Sequence, residues 1–231
     1  MYRGLQDVRE RLDLLDEDIL YQLRKRSRYK QNPSLYQTAT EGEASFLQIA
    51  LSTLEDHHEA IGRYDFPDQR RITPSSGKGS IIKRKLPAEA GIDTSIHIDI
   101  SGEIIKFYTD SLSKLCAEGD EPFTHGETVA CDALTILLLN ERISFGKYVA
   151  QSKIDKDRSL LDITDRDELT ERLRNYKREE EVLSRAQSIA VANGLNHGIA
   201  YDFFKWIIDT TIHLEVDYIF ESRARLGNSR V

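Results

Sequence analysis

Apolar residues recur at intervals of three and four along most of the chain, which is the spacing of one face of an α-helix. Alternation with a period of two, the mark of a half-buried strand, is scarce, so the pattern predicts an all-α protein. Helices of this length favour a long-helix bundle in which they pack side by side. The predicted helices cover residues 5–29, 44–61, 102–117, 127–152, 165–193 and 199–225.

The first and fourth predicted helices are weakly similar to each other. The segments "LLDEDILYQLRKRS" and "ACDALTILLLNERIS" place Asp16 before Arg26 and Asp132 before Arg142 at the same offset. Matching offsets of this kind indicate an internal duplication, here of a three-helix unit. We therefore predict a single all-helical domain over residues 1–231, with halves 1–120 and 121–231.

Between the second and third helices, proline and glycine residues interrupt the periodic pattern and predict a long connection. The prolines are Pro67, Pro74 and Pro87.

Composition excludes several classes of protein. The 231 residues carry a net charge of -7, which argues against non-specific binding to nucleic acid. No apolar run approaches the ~18 residues that span a bilayer, and no signal-peptide pattern opens the chain. Cys116 and Cys131 have no metal-ligand spacing around them, so we interpret them as reduced core thiols of a cytoplasmic protein.

Two cations interrupt the apolar stripe of the fourth predicted helix. Helical steps of three and four lead from Arg142 through Phe145 and Val149 to Lys153, so both cations share the inward face. Burying an unpaired charge is costly, and guanidinium groups bind carboxylates bidentately. The stripe therefore predicts an inward-facing site for a small dianion.

Other predicted helices carry polar groups at comparable positions. Arg9 lies on the apolar stripe of the first helix, and Thr211 and Glu215 lie one turn apart on the last. Asn175 and Glu179 have the same spacing on the fifth. The set contains neither a nucleophile with its base nor a metal-ligand cluster, so we expect no cofactor and no metal. Chemistry at such a site would depend on positioning and electrostatics.

Three segments resemble the eukaryotic-type, all-helical (AroQ class) chorismate mutases: "LQDVRERLDLLDEDIL", "ASFLQIALSTLEDHHEAIGRYDFP" and "GETVACDALTILLLNERISFGKYVAQSK". The resemblance covers most of the chain. It implies rearrangement of chorismate to prephenate in phenylalanine and tyrosine biosynthesis, by a cytoplasmic homodimer that needs no cofactor. Carried over position by position, it makes Arg9, Arg142, Lys153, Glu179 and Glu215 catalytic, with Asn175 and Thr211 binding substrate.

The resemblance also implies a role for each group. The arginines would hold the two carboxylates of chorismate, and Glu179 would accept a hydrogen bond from its ring hydroxyl. Lys153 and Glu215 would donate to the ether oxygen as this atom gains negative charge. Glu215 must then be protonated, so we expect burial to raise its pKa above the usual value of about 4.3.

Members of the family also bind aromatic amino acids at a second site, to which the resemblance assigns Arg63, Gly126 and Glu127. This chain departs from the family there, because Gly62 replaces the first residue of a consecutive arginine pair. Glu127 would repel the carboxylate of an amino acid. We therefore expect that tyrosine and tryptophan do not regulate this protein in the family's usual way.

Three alternatives stay open at this stage. The protein could act on isochorismate or an amino analogue, could be a non-catalytic sensor with the same pocket, or could be a purely structural bundle. Taken singly, Arg26 and Arg178 are predicted to form salt bridges, and Trp206 is predicted to lie in the core.

Overall fold

The computed structural model describes residues 5–38, 44–65, 69–82, 91–93 and 95–228. Over these residues the regular elements are helices, together with one isolated bridge between Lys30 and Ala117. The predicted all-α class is confirmed. The α-helices are α1 (Leu5–Arg26), α2 (Phe46–Ala60), α3 (Ser101–Leu115), α4 (His125–Ser144), α5 (Gly146–Lys156), α6 (Arg166–Leu173), α7 (Tyr176–Ala192) and α8 (His197–Asn228).

The single helix predicted over 127–152 is wrong, because α4 ends at Ser144 and α5 begins at Gly146. The chain turns more tightly here, since the carbonyl of Phe145 accepts a 3.0 Å hydrogen bond from the amide of Tyr148. A Cβ on Gly146 would lie 3.0 Å from Cγ2 of Thr211. The glycine therefore allows α5 to cross α8 at close range.

The single helix predicted over 165–193 is also wrong. Arg174 is extended (φ -64°, ψ 142°), and Asn175 caps α7 by accepting a 3.1 Å hydrogen bond from the amide of Arg178. Asparagine is a preferred N-cap residue, because its side chain satisfies an amide that lacks a helical partner. The 165–193 segment therefore forms two helices separated by Arg174 and Asn175.

The long connection after α2 contains a short 3₁₀ helix (Arg63–Asp65), and its other described residues form neither helix nor strand. Its Pro67 and Pro87 lie outside the described residues. Buried Glu55 of α2 anchors the connection by accepting hydrogen bonds of 2.8 Å from the amides of Ile72 and Thr73.

The main core lies around α4, which packs against α1, α2, α3 and α8. Trp206 of α8 is partly buried against this core and stacks on Phe107 at 4.0 Å between ring centroids, consistent with the predicted core role. Cys116 and Cys131 are both buried and unbridged, as expected. In the part of the chain that is described, no helix is long and apolar enough to cross a membrane.

Two reciprocal ion pairs join α1 to α4. Arg142 of α4 donates from Nε to Asp16 of α1 at 2.6 Å, and Arg26 of α1 donates from Nε to Asp132 of α4 at 2.7 Å. Each helix thus contributes one aspartate and one arginine, and the two pairs lie roughly 15 Å apart along antiparallel axes. This exchange agrees with the predicted duplication, and it confirms Arg26 as a salt-bridge residue.

Candidate active site

A cavity of about 150 Å³ opens between α1, α5, α7 and α8, beside the end of α4. Its walls are apolar where α1, α7 and α8 contribute Leu12, Val182 and Ile208. The polar side chains that the sequence nominated all lie on the same walls, contributed by five helices and one helix cap. They are Arg9, Arg142, Lys153, Asn175, Glu179, Thr211 and Glu215.

Arg142 is buried, and its nearest anion comes from the chain itself. Asp16 accepts from Nε of Arg142 at 2.6 Å and from Nη2 of Arg185 at 2.9 Å. Asp16 therefore supplies a negative charge beside Arg142 without an external anion. Asp16 was missed as a site residue, although it lies two helical turns after Arg9 on the same face of α1.

Lys153 and Glu215 form a second ion pair within the cavity. The ammonium of Lys153 donates to Oε2 of Glu215 at 2.6 Å and to the carbonyl of Leu173 at 2.7 Å. An ammonium has three donors, so one remains for a ligand. Burial raises the pKa of Glu215, as expected, although the charge of Lys153 opposes the shift.

Both carboxylate oxygens of Glu179 have donors. Oε2 accepts from Nη1 of Arg174 at 2.8 Å, and Oε1 accepts from the amide of Asn175 at 3.2 Å. The side chain of Asn175 uses Oδ1 to cap α7, which leaves its side-chain nitrogen Nδ2 able to donate into the cavity. Arg174 was missed by the sequence reasoning, because it lies in a break that the helical pattern did not reveal.

The remaining charges on the cavity wall are Arg9, Arg178 and Asp13. Arg178 pairs with Asp13 at 3.2 Å and with Glu181 at 3.4 Å, as predicted for a salt-bridge residue. Among the described residues, Arg9 has no hydrogen-bond or ion-pair partner. The lining charges balance when Glu215 is ionised, as four cations (Arg9, Arg142, Lys153, Arg178) face four carboxylates (Asp13, Asp16, Glu179, Glu215).

The residues nominated for a second site do not meet within one chain. Arg63 bonds to buried Glu141 near the end of α4, whereas Gly126 and Glu127 are exposed in its first turn. The rise of a helix separates Glu127 from Glu141 by roughly 21 Å. Arg63 also contacts Nδ1 of His58 at 3.1 Å. Burial, followed by the charge of Arg63, lowers the pKa of His58 to about 4, so this imidazole is neutral at pH 7.

No group of three or more histidine, cysteine, aspartate or glutamate side chains is arranged to hold a metal ion within the described residues. The polar side chains that line the cavity are hydrogen-bond donors, hydrogen-bond acceptors and charged groups. Such a site can bind a small anion and stabilise charge that develops on it.

A family model described as chorismate mutase type II matches residues 125–216. The chain is 26% identical over 205 residues to the chorismate mutase of Saccharomyces cerevisiae, covering 84% of this chain and 80% of that protein. Identity to the Schizosaccharomyces pombe chorismate mutase is 24% over 242 residues, covering 93% of this chain and 94% of that protein.

Solved structures give the same result. A crystal structure of a chorismate mutase from Candida albicans, in complex with L-Trp, superposes with a TM-score of 0.85 at 27% identity, covering 94% of this chain and 90% of that one. The chloroplast chorismate mutase from Zea mays superposes with a TM-score of 0.78 at 23% identity and shares the fold, covering 95% of each chain.

Proposed function

Since the chain belongs to the eukaryotic-type, all-helical chorismate mutases, we propose that its reaction takes place in the cavity between α1, α5, α7 and α8. The protein is an enzyme that rearranges chorismate to prephenate for the synthesis of phenylalanine and tyrosine. One observation supports this location above the others. Three of the four cations of the lining, Arg9, Arg142 and Lys153, come from separate helices and converge on a single cavity, where cations can pair with the two carboxylates of a dianionic substrate.

The reaction needs no nucleophile and no cofactor. The ether C–O bond of chorismate breaks while a new C–C bond forms within the same molecule, so no atom, proton or electron passes to the protein. The protein can accelerate such a step by holding the flexible substrate in its reactive conformation and by stabilising charge on the ether oxygen.

The carboxylates of the substrate are held by Arg9 and Arg142. Arg142 uses Nε for Asp16, which leaves its two terminal nitrogens for a substrate carboxylate. The side-chain nitrogen Nδ2 of Asn175 is a further donor for a substrate carboxylate. Without substrate, the hydroxyl of Thr211 donates to the carbonyl of Ile207 at 2.7 Å. Because a hydroxyl has one proton, it must rotate in order to donate to a substrate carboxylate.

The ether oxygen receives hydrogen bonds from Lys153 and from protonated Glu215. The cavity lining is electrically neutral when Glu215 is ionised, so a dianion entering it favours the uptake of a proton. Burial already acts in the same direction on the pKa of Glu215. Both donors are strongest when the ether oxygen is most negative, which lowers the barrier rather than merely tightening binding.

The direct test is the loss of chorismate absorbance after purified protein is added, with prephenate identified by NMR. We expect Arg142→Ala to lower kcat/KM by about 100- to 1,000-fold, the usual effect of removing one electrostatic contact in an active site. Exposed Arg158 lies outside the cavity, so Arg158→Ala should leave the rate unchanged. Binding without turnover would instead favour a non-catalytic sensor, and a different product would favour a related substrate.

We also infer a cytoplasmic homodimer in which residues 1–120 and 121–231 form one domain. The main core draws buried residues from α1, α2 and α3 as well as from α4, α7 and α8, which supports one folding unit. A second copy would be required to bring Arg63 near Glu127, because about 21 Å of helix separates Glu127 from Glu141, the partner of Arg63, within one chain. Light scattering on the protein as it elutes from a size-exclusion column measures the oligomeric state.

A further inference from the structure

Three consecutive residues at the end of α6 and in the break before α7 contact polar side chains of the cavity. The carbonyl of Leu173 accepts from Lys153 at 2.7 Å. The side chain of Arg174 and the amide of Asn175 both donate to Glu179, at 2.8 and 3.2 Å. Two of the groups that act on the substrate, Lys153 and Glu179, are thus held by three consecutive residues, 173–175.

Arg174 joins two helices as well as two carboxylates. Its Nη1 donates to Glu179 of α7, while its Nη2 donates to Asp209 of α8 at 2.6 Å. The side chain is only 14% exposed, and Asp209 is held in turn by Lys205 at 3.1 Å. Because a guanidinium is planar and rigid, a bond to Asp209 also fixes the plane in which Arg174 meets Glu179.

This geometry determines what Glu179 can do. A carboxylate has about four lone-pair positions, and Arg174 and Asn175 occupy two of them. The remaining positions are left for an incoming hydroxyl donor.

We propose that Arg174 is a positioning residue for this reaction, which orients Glu179 as the acceptor for the ring hydroxyl of the substrate. The inference rests on the proposed role of Glu179. Arg174 itself is absent from the cavity wall, so it acts through Glu179 and does not bind the substrate.

A double-mutant cycle in kcat/KM tests this proposal. Arg174→Ala should lower kcat/KM by about 10- to 100-fold, because a misplaced contact group costs up to that factor. The variant Arg174→Ala/Glu179→Gln should be no slower than Glu179→Gln alone. Arg174→Lys should recover part of the loss, since a lysine can reach one carboxylate but cannot bridge two.

Two control variants separate positioning from general damage. Lys205→Ala removes the other partner of Asp209 without touching Glu179, and Arg172→Ala removes an exposed arginine two residues away. Both should keep a kcat/KM near that of the wild type. If Arg174→Ala does not fold, Arg174→Gln replaces it in the double-mutant cycle with Glu179→Gln.

The possible failures are distinguishable. Absence of prephenate with the wild-type protein would overturn the proposed function itself. An active wild type with losses that multiply in the double variant would overturn only the role of Arg174. Equal losses in Lys205→Ala and Arg174→Ala would reduce Arg174 to a stabilising contact between α7 and α8.

Discussion

The ion pair between Arg26 and Asp132 is fully buried, and we expect the stability of the protein to depend on it. Besides Asp132, the guanidinium of Arg26 donates to the carbonyls of Lys30 and Gln31 at 2.8 and 2.9 Å. It also contacts the thiol of Cys116 at 3.0 Å. Arg26 therefore has a partner on each of its three nitrogens.

Asp132 is equally saturated. It accepts from the hydroxyls of Tyr108 at 2.5 Å and Tyr36 at 2.7 Å, in addition to Arg26. Burial, reinforced by the charge of Asp132, raises the pKa of both tyrosines, so both remain protonated donors. Loss of the carboxylate charge would strand a guanidinium that cannot lose its proton.

We predict that Asp132→Asn lowers the free energy of unfolding by about 3–5 kcal/mol, the cost of breaking a buried pair on one side. For a chain of this size about 2–4 °C of Tm corresponds to each kcal/mol, so Tm should fall by roughly 6–20 °C. The measurement is thermal unfolding followed by circular dichroism at fixed protein concentration. Arg26→Met/Asp132→Leu should not restore Tm, because the carbonyls of Lys30 and Gln31 would lose their donor.

The matched control is an exposed pair of the same type. Lys106 and Asp110 lie one turn apart on α3, both mostly exposed to solvent. Asp110→Asn should shift Tm by no more than about 4 °C, since exposed pairs contribute less than about 1 kcal/mol. If Asp132→Asn shifted Tm no more than this control, the reasoning from burial would be refuted.

Three further predictions concern the active site and its surroundings. The kcat/KM of the wild type should fall as pH rises through the raised pKa of Glu215, because an ionised carboxylate cannot donate a hydrogen bond. Glu215→Gln should lose this fall, and a pH profile that is the same in the variant would contradict the role of Glu215 as a donor. Gly146→Ala should destabilise the protein by about 1–3 kcal/mol in chemical denaturation, through the clash with Thr211, whereas Gly102→Ala meets no neighbour and should not. Tyrosine and tryptophan should change neither Tm nor activity, since Arg63 is already bonded to Glu141; clear activation by tryptophan would refute this.

The sequence predicted the helices better than their interruptions. Long amphipathic periods located the α-helices of the described residues, because burial of one face sets the period over many residues. The breaks at Phe145 and at Arg174 leave that period almost undisturbed. The break at Phe145 depends on the close approach of Gly146 to α8, which is a tertiary contact. The break at Arg174 depends on the N-cap formed by Asn175, which is the effect of a single residue.

The inward cations predicted from the sequence do lie on the cavity wall, but the sequence analysis did not identify Asp16 or Arg174. Arg142 and Lys153 stand out because charge on an apolar stripe is unusual. Asp16 and Arg174 do not stand out, since the first resembles a solvated helix residue and the second falls in an unrecognised break. Only the fold brings Asp16 to Arg142 at 2.6 Å and Arg174 to Glu179 at 2.8 Å.

The two reciprocal pairs between α1 and α4 differ in the hydrogen-bond donors that they leave for a ligand. Around Arg26 the chain supplies carbonyls, a thiol and a phenol, so no donor remains for a ligand. Around Arg142 the chain supplies Asp16 at Nε, and within the described residues no protein acceptor meets its terminal nitrogens. The difference between a structural pair and a binding site therefore lies in the acceptors that surround the same two residue types.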